Sequence, residues 1–336
     1  MKNLLVLLLL FYASNSISCT TFVIKDSNNL VFGRNLDWFS DIGIVVVNKR
    51  NINKTSLVFP PEKSINWKSK YGSVTFNQFG KEFPFGGINE VGLVVEIMVV
   101  NTLYPEFDQR SALNELQWVQ YQLDNCSTIN EVIQSDKLIR ISKINQDLHF
   151  LICDKFGNTA VIEFSEKGMV VYKNEDLPIP VLENSTYPNS LKSYNNNEPS
   201  RFSIAAKKVK SYNPTGTTSI IDYSFNILNE VTLDSSWSIV YDIKNMQIHF
   251  KTASNRKRSR ININDFNFSC ESPSLIFDLT NKKKRKTTIN HLFIIYKKKL
   301  NMEIFDEAIK SNQITLPQEV LDKFYNYNER CECQNN

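Results

Sequence analysis

Cys19-Thr20-Thr21-Phe22-Val23-Ile24-Lys25, Asp26-Ser27-Asn28-Asn29, Leu30-Val31-Phe32-Gly33-Arg34-Asn35-Leu36-Asp37 reads as a β-hairpin. Residues 20–25 are β-branched and aromatic, which suits a pleated surface buried on at least one face. The Asp-Ser-Asn-Asn segment is turn chemistry, because these short polar side chains bond their own backbone. Residues 30–35 then read as the returning strand. With the turn centred between Ser27 and Asn28, paired positions sum to 55, so Thr21 faces Arg34 and Cys19 faces Leu36. The hairpin thereby carries Arg34 and Asp37 back beside Cys19. Strict alternation sends these two to opposite faces, so a kink near Gly33 or Asn35 is expected if both point inward. A solvated surface ion pair is the alternative fate of such an Arg and Asp.

Working outward, residues 1–18 read as a signal peptide. Lys2 supplies the positive start, and residues 4–12 form an apolar run of nine. A membrane span needs roughly twenty apolar residues, and no later stretch supplies them. Ser16 and Ser18 are the small residues at −3 and −1 of a cut after Ser18. Export would then leave Cys19 first in the chain, with three readings. It is a lipid anchor, although Ser16 and Ile17 stand in the wrong order for that signal. It is an ordinary cysteine. Or it is a nucleophile uncovered by cleavage, with its new α-amine as the base. An α-amine with an ordinary pKa near about 8 is partly neutral at physiological pH, and a thiol near about 8.5 is readily activated by it.

Composition excludes several classes. Lys+Arg 39 against Asp+Glu 35 gives +4 over 336 residues, too mild a charge to imply nucleic acid. With 42% hydrophobic and 12% aromatic residues the chain has ample core material, which argues against disorder. His149, His249 and His291 show no ligand spacing, and no phosphate loop or Gly-x-Ser-x-Gly elbow occurs, so neither metal nor cofactor is expected.

The motifs, taken together, resemble one family. Cys19-Thr20 followed by Gly33-Arg34-Asn35-Leu36-Asp37-Trp38 resembles the start of the choloylglycine hydrolases, the bile salt hydrolases and penicillin V acylases among N-terminal-nucleophile hydrolases. Asn89-Glu90-Val91-Gly92-Leu93, Val181-Leu182-Glu183-Asn184-Ser185, Pro199-Ser200-Arg201-Phe202 and the Trp237-to-Phe250 hairpin follow in family order. The resemblance implies that Cys19 is the nucleophile, that Arg34, Asp37 and Arg201 form the charged cluster around it, and that Asn184 donates to the oxyanion. It also implies a four-layer αββα sandwich and a homo-oligomer. One position departs: where the family has a second oxyanion Asn, or a Tyr, this chain has Val99. Asn101 moving into place, or a backbone N–H such as that of Thr20, is the expected substitute. Glu96, an acid in an otherwise apolar strand, either turns to solvent or joins the pocket wall.

The remaining pattern runs strands, helices, strands, helices, strands, which says α+β with antiparallel sheets. Strands are expected at 44–49, 71–77, 92–100, 148–153, 159–164 and 169–172. Helices are expected at 112–123, from a Thr128/Glu131 capping box to about 141, at 200–209 with Arg201 in the first turn, and at 222–231. A hairpin is expected at 237–242 and 246–251. Residues 19–336 read as one catalytic domain whose tail, from about 328, is disordered. Five cysteines besides Cys19 cannot all pair internally, so no disulfide framework is implied, while Cys331 and Cys333 could form a bridge to the body or a metal clip. Basic clusters at 256–260, 282–286 and 297–299 read as solvated charge, with an anionic surface as the alternative. Asn53, Asn125, Asn184 and Asn267 open glycosylation sequons, and a sugar on Asn184 would be incompatible with an oxyanion role.

The expected activity is hydrolysis of a linear, non-peptide amide between an apolar acyl group and a small polar amine. Conjugated bile salts, penicillin V, N-acyl homoserine lactones and N-acyl amino acids are the candidate small-molecule substrates. Loops at Trp38-Phe39 and 83–85 are expected to line the acyl pocket. Secretion to a periplasm, the exterior or a lysosomal lumen follows from the leader. A secreted non-catalytic binding protein and a lipid-anchored surface protein are the rival readings.

Overall fold

The structure, a computed structural model, describes residues 19–232, 236–281, 288–327 and 331–333. The hairpin has the expected register: Thr20–Lys25 pairs antiparallel with Leu30–Leu36, Thr21 opposite Arg34 and Thr20 opposite Asn35. Asp26 closes the turn, its Oδ1 accepting from the backbone N–H groups of Asn28 and Asn29. No kink is needed. The ladder runs unbroken to Leu36, which also faces Trp237, and Asp37 lies one residue beyond it, released from strand alternation. Gly33 serves packing instead, since a Cβ there would stand 2.3 Å from the Phe22 ring.

This hairpin is the centre of a six-stranded sheet, in which Val181–Glu183 flanks Thr20–Lys25 and the Trp237–Asp242 and Gln247–Thr252 hairpin flanks Leu30–Leu36. A nine-stranded sheet packs on it, with Val94–Val99 between Leu148–Cys153 and Gly86–Asn89. Aromatic rings fill the space between the sheets: Phe76 of the larger sheet meets Trp237, Tyr241 and Phe250 of the smaller at 5.5–6.5 Å. Helices Tyr187–Asn195, Arg201–Lys210 and Ile220–Val231 cover the smaller sheet. Glu115–Asn125 covers the larger, and Lys298–Ser311 packs Ile304 against its Ile44, Val46 and Ile276. The fold is the α+β, four-layer αββα sandwich.

Several local expectations are corrected. The 112–123 helix begins later, because Asn114 caps it through its Oδ1 to the N–H groups of Leu116 and Gln117, and Ser111–Leu113 before it is a strand. The capping box at Thr128 and Glu131 forms, but its helix stops at Ser135. Ile139–Ile141 then pairs parallel with Ser111–Leu113, a partner that no local pattern announces. Three α-helices lie outside the expected ones, Tyr187–Asn195, Lys298–Ser311 and Gln318–Tyr327.

The tail is also tied down where it is described. Cys333 bonds Cys270, and Glu332–Cys333 pairs with Ile52–Thr55. The bridge is the expected alternative in which the 331–333 segment bonds to the body, and its partner Cys270, 63 residues away, is set by tertiary approach rather than spacing. Residues 328–330 and 334–336 of the tail, the leader 1–18 and the basic run 282–286 lie outside the described residues.

Candidate active site

All five expected residues converge on the end of the Thr20–Lys25 strand. Cys19 is 1% exposed and lines a cavity of about 450 Å³. Its backbone nitrogen donates a hydrogen bond to Asn184 Oδ1. Strand pairing explains that contact: Thr20 faces Glu183, so the next residue of each chain segment meets across the sheet end.

Arg201 closes the group from the other side. Its Nη1 donates to the Cys19 carbonyl at 2.8 Å and stands 3.9 Å from Asp37 Oδ2, while its Nη2 donates to Asn184 Oδ1 at 3.2 Å. Its helix starts where it does because Ser200 accepts from the Ser203 N–H and Glu183 Oε2 accepts from the Phe202 N–H. Glu183 thus ties the Asn184 loop to the turn that carries Arg201.

Arg34 lies buried beside Cys19. Its Nε is 2.5 Å from Glu96 Oε2, and its Nη2 donates to the Ile97 carbonyl at 3.0 Å. Asp37 is held by the Thr232 hydroxyl at 3.3 Å. Burial pushes the Cys19 thiol above its ordinary value; Arg34 pulls it down, the Asp37 carboxylate pushes it up, and the Asp37 backbone N–H and Arg201 pull it down again. The two arginines favour the thiolate, but desolvation outweighs them.

Two expectations at the site change. Asn101 is exposed and does not line the cavity, so it does not replace the missing donor. Val99 contributes its carbonyl instead, accepting from Asn184 Nδ2 at 2.7 Å. Glu96 neither faces solvent nor lines the cavity: it is fully buried between Arg34 and Tyr241. Trp38, Phe83 and Phe85 line the cavity as expected, whereas Phe39 is exposed. The outer wall was missed. Phe305, Ile309, Ile314, Leu316 and Phe324 build it from the two C-terminal helices and their link. The signal was available, since Leu300, Ile304, Ala308 and Phe305, Ile309 recur at helical spacing.

The model for "Linear amide C-N hydrolases, choloylglycine hydrolase family" matches residues 19–221. The chain belongs to the choloylglycine hydrolase family. A penicillin V acylase of Pectobacterium atrosepticum is 28% identical over 194 residues, 49% of this chain and 49% of that protein. The chain thus aligns with about half the length of that curated relative. Among solved structures, a penicillin V acylase from Agrobacterium tumefaciens superposes with a TM-score of 0.70 at 24% identity, over 83% of this chain and 98% of that one. A mutant of the conjugated bile acid hydrolase from Clostridium perfringens gives 0.63 at 18% identity, over 80% and 98%. At these identities the structures speak for the fold alone. The family match starts at Cys19 and ends before the helices that wall the cavity.

Proposed function

We propose that the chain is an exported cysteine N-terminal-nucleophile hydrolase of linear amides, active once a leader is removed before Cys19. The observation that carries this reading is the meeting of one residue's nitrogen, sulfur and carbonyl with Asn184, Arg34 and Arg201 beside an apolar cavity that Cys19 and Arg34 line. The Cys270–Cys333 bridge supports an oxidising compartment such as a periplasm, the exterior or a lysosomal lumen.

The chemistry runs as follows. The α-amine of Cys19 takes the thiol proton, and the sulfur attacks the amide carbon. One Asn184 Nδ2 hydrogen is spent on Val99, and the other donates to the tetrahedral oxyanion, a contribution of about 10²–10³ in rate. Collapse transfers the amine's extra proton to the leaving nitrogen and leaves a thioester. Water, deprotonated by the same α-amine, attacks that thioester and releases the acid. Arg201 and Asp37 keep the Cys19 main chain fixed through both steps.

The cavity falls within the roughly 300–1,000 Å³ usual for small ligands. Its apolar wall takes the acyl group, and bile salts, penicillin V, N-acyl homoserine lactones and N-acyl amino acids form the test panel. Release of free amine from that panel, with Edman or mass analysis of the N-terminus, tests the reading. No turnover from a chain starting at Cys19 on any member would overturn it.

The wall also gives a specificity prediction. Phe324 packs on Phe83 at 4.7 Å and on Phe305 at 5.5 Å, at the outer end of the cavity. Phe324→Ala should lower kcat/KM about tenfold for a bulky acyl group such as phenoxyacetyl and leave an acetyl amide unchanged, the size of effect expected for one lost apolar pocket contact. Steady-state kinetics on the two amides reads the difference.

A further inference from the structure

Arg34 has two neighbours that the roles above leave unused, Glu96 and Tyr241. Glu96 sits mid-strand in Val94–Val99 and is fully buried. Its Oε2 lies 2.5 Å from Arg34 Nε, and its Oε1 accepts from the Tyr241 hydroxyl at 2.5 Å. The sheets are built around this carboxylate. Gly86 faces Glu96 across the ladder, and a Cβ there would fall 2.1 Å from the carboxylate. Tyr241 reaches it from the other sheet, while its ring packs edge-on against Phe32 and Phe76. A buried acid is destabilising unless paired and hydrogen-bonded, so a position merely filling space would carry an apolar residue like its neighbours Val95 and Ile97.

We infer that Glu96 is a positioning residue for the nucleophile: anchored by Tyr241, its carboxylate fixes the Arg34 guanidinium beside Cys19 and moderates the positive field felt by the sulfur and the α-amine. The inference rests on the reading of Cys19 as the nucleophile. The geometry gives each guanidinium edge a job. Nε goes to Glu96, Nη2 goes to the Ile97 carbonyl, and the charge as a whole acts on the thiol. Without the carboxylate, Arg34 would be a buried cation held by one carbonyl.

The neighbouring charges are few, so the sign of the effect is clear. Cys19 faces Arg34 from the Leu30–Leu36 strand, Asp37 just beyond it, Arg201 from its helix, and its own α-amine. Among the described residues, the titratable groups facing Glu96 are Arg34 and Tyr241; the residues opposite it on the flanking strands, Gly86 and Leu151, carry no charge. Burial raises the Glu96 carboxyl to about 7, against the pull of Arg34 and the Tyr241 hydroxyl. Below that pH the carboxyl is protonated, and the wild type then resembles a permanently neutral variant.

The test uses the chain that begins at Cys19, as wild type, Glu96→Gln, Tyr241→Phe and Cys19→Ala. Iodoacetamide labelling of the N-terminal peptide against pH, read by mass spectrometry, gives the midpoint of the thiol without needing a substrate. Glu96→Gln removes a negative charge behind Arg34, so the midpoint should move down by about one pH unit. Tyr241→Phe, which leaves the carboxylate without its donor and so raises its pKa, should move it the same way by less. On the best amide of the panel, kcat/KM of Glu96→Gln should fall about tenfold at pH 8, and the ratio to wild type should approach one below pH 6. A structural role would give a ratio independent of pH. Folded Glu96→Gln with an unmoved labelling midpoint, or a constant ratio, overturns the inference. Wild type turning over no faster than Cys19→Ala would instead overturn the reading beneath it, so the two failures are distinguishable.

Discussion

Cys19→Ala should lower kcat/KM for amide hydrolysis by at least about 10³-fold, because removing a nucleophile removes the covalent route and leaves only binding and oxyanion contacts. Among the described residues no second thiol is placed to take over. Cys126, Cys153 and Cys331 lie elsewhere, with thiols pushed up to about 12 by burial. Cys19→Ser keeps the α-amine and a hydroxyl, and should retain more activity than Ala while staying well below wild type, since a hydroxyl is the weaker nucleophile at neutral pH. The decisive comparison is a chain with one alanine placed ahead of Cys19. The sulfur, Arg34 and Asn184 are then unchanged, but the nitrogen hydrogen-bonded to Asn184 Oδ1 becomes an amide and can no longer accept a proton. Its activity should match Cys19→Ala. Amine release at saturating and limiting substrate measures all three, and full activity of the extended chain would eliminate the α-amine as the base.

The part of this site legible in sequence is the part held by local strand geometry. The turn at Asp26 to Asn29 fixes a register, and the register alone places Arg34 opposite Thr21 and Asn35 opposite Thr20, next to Cys19. Asn184 and Arg201 were reached through motif resemblance, and the strand pairing of Thr20 with Glu183 supplies the physical reason they arrive. Glu96 was not legible, because an acid in an apolar strand reads as a solvent face until a partner from another strand is known. Its partner is Arg34, 62 residues earlier, and its anchor Tyr241 lies 145 residues later. The same holds for the parallel pairing of Ile139–Ile141 with Ser111–Leu113 and for the Cys270–Cys333 bridge: each joins segments that nothing in their own composition connects. The cavity wall belongs to a third class. The periodicity of residues 298–327 was readable, but where that helix pair docks depends on tertiary contacts such as Asn301 Oδ1 accepting from the Lys81 N–H and Tyr327 covering Phe83.

That docking surface rests on buried charge, and Lys54→Met should destabilise the protein by about 3–5 kcal/mol, the cost of leaving a buried ion without its partner. Lys54 Nζ stands 2.5 Å from Glu82 Oε2 and 2.9 Å from Asp124 Oδ2, and Lys81 Nζ is 2.6 Å from Glu82 Oε1. Lys54, Glu82 and Asp124 are each no more than 2% exposed at the side chain, and Trp67 and Gln120 add hydrogen bonds to Asp124. Two cations against two carboxylates balance; without Lys54, two buried carboxylates share Lys81 alone. Burial would raise Glu82, but Lys54 and Lys81 pull it down to about 2, while burial holds Asp124 above its ordinary value against Lys54. Because Glu82 is lower in the folded state than its ordinary 4.5, the stability it contributes is complete above that pH and is lost as pH falls toward 2. The gap between wild type and Lys54→Met should therefore be widest near neutrality and narrow below pH 4.5 as the carboxylates protonate. Urea unfolding at pH 7 and pH 3 reads both values. Lys54→Met with Glu82→Gln should recover at least half of the loss, since it restores one cation to one anion; a double variant as unstable as the single would mean that lost packing, not uncompensated charge, sets the cost. Tyr327 and Cys331 lie against this cluster, a few residues beyond Phe324, so the same variant should also loosen the outer wall and weaken discrimination between bulky and acetyl amides.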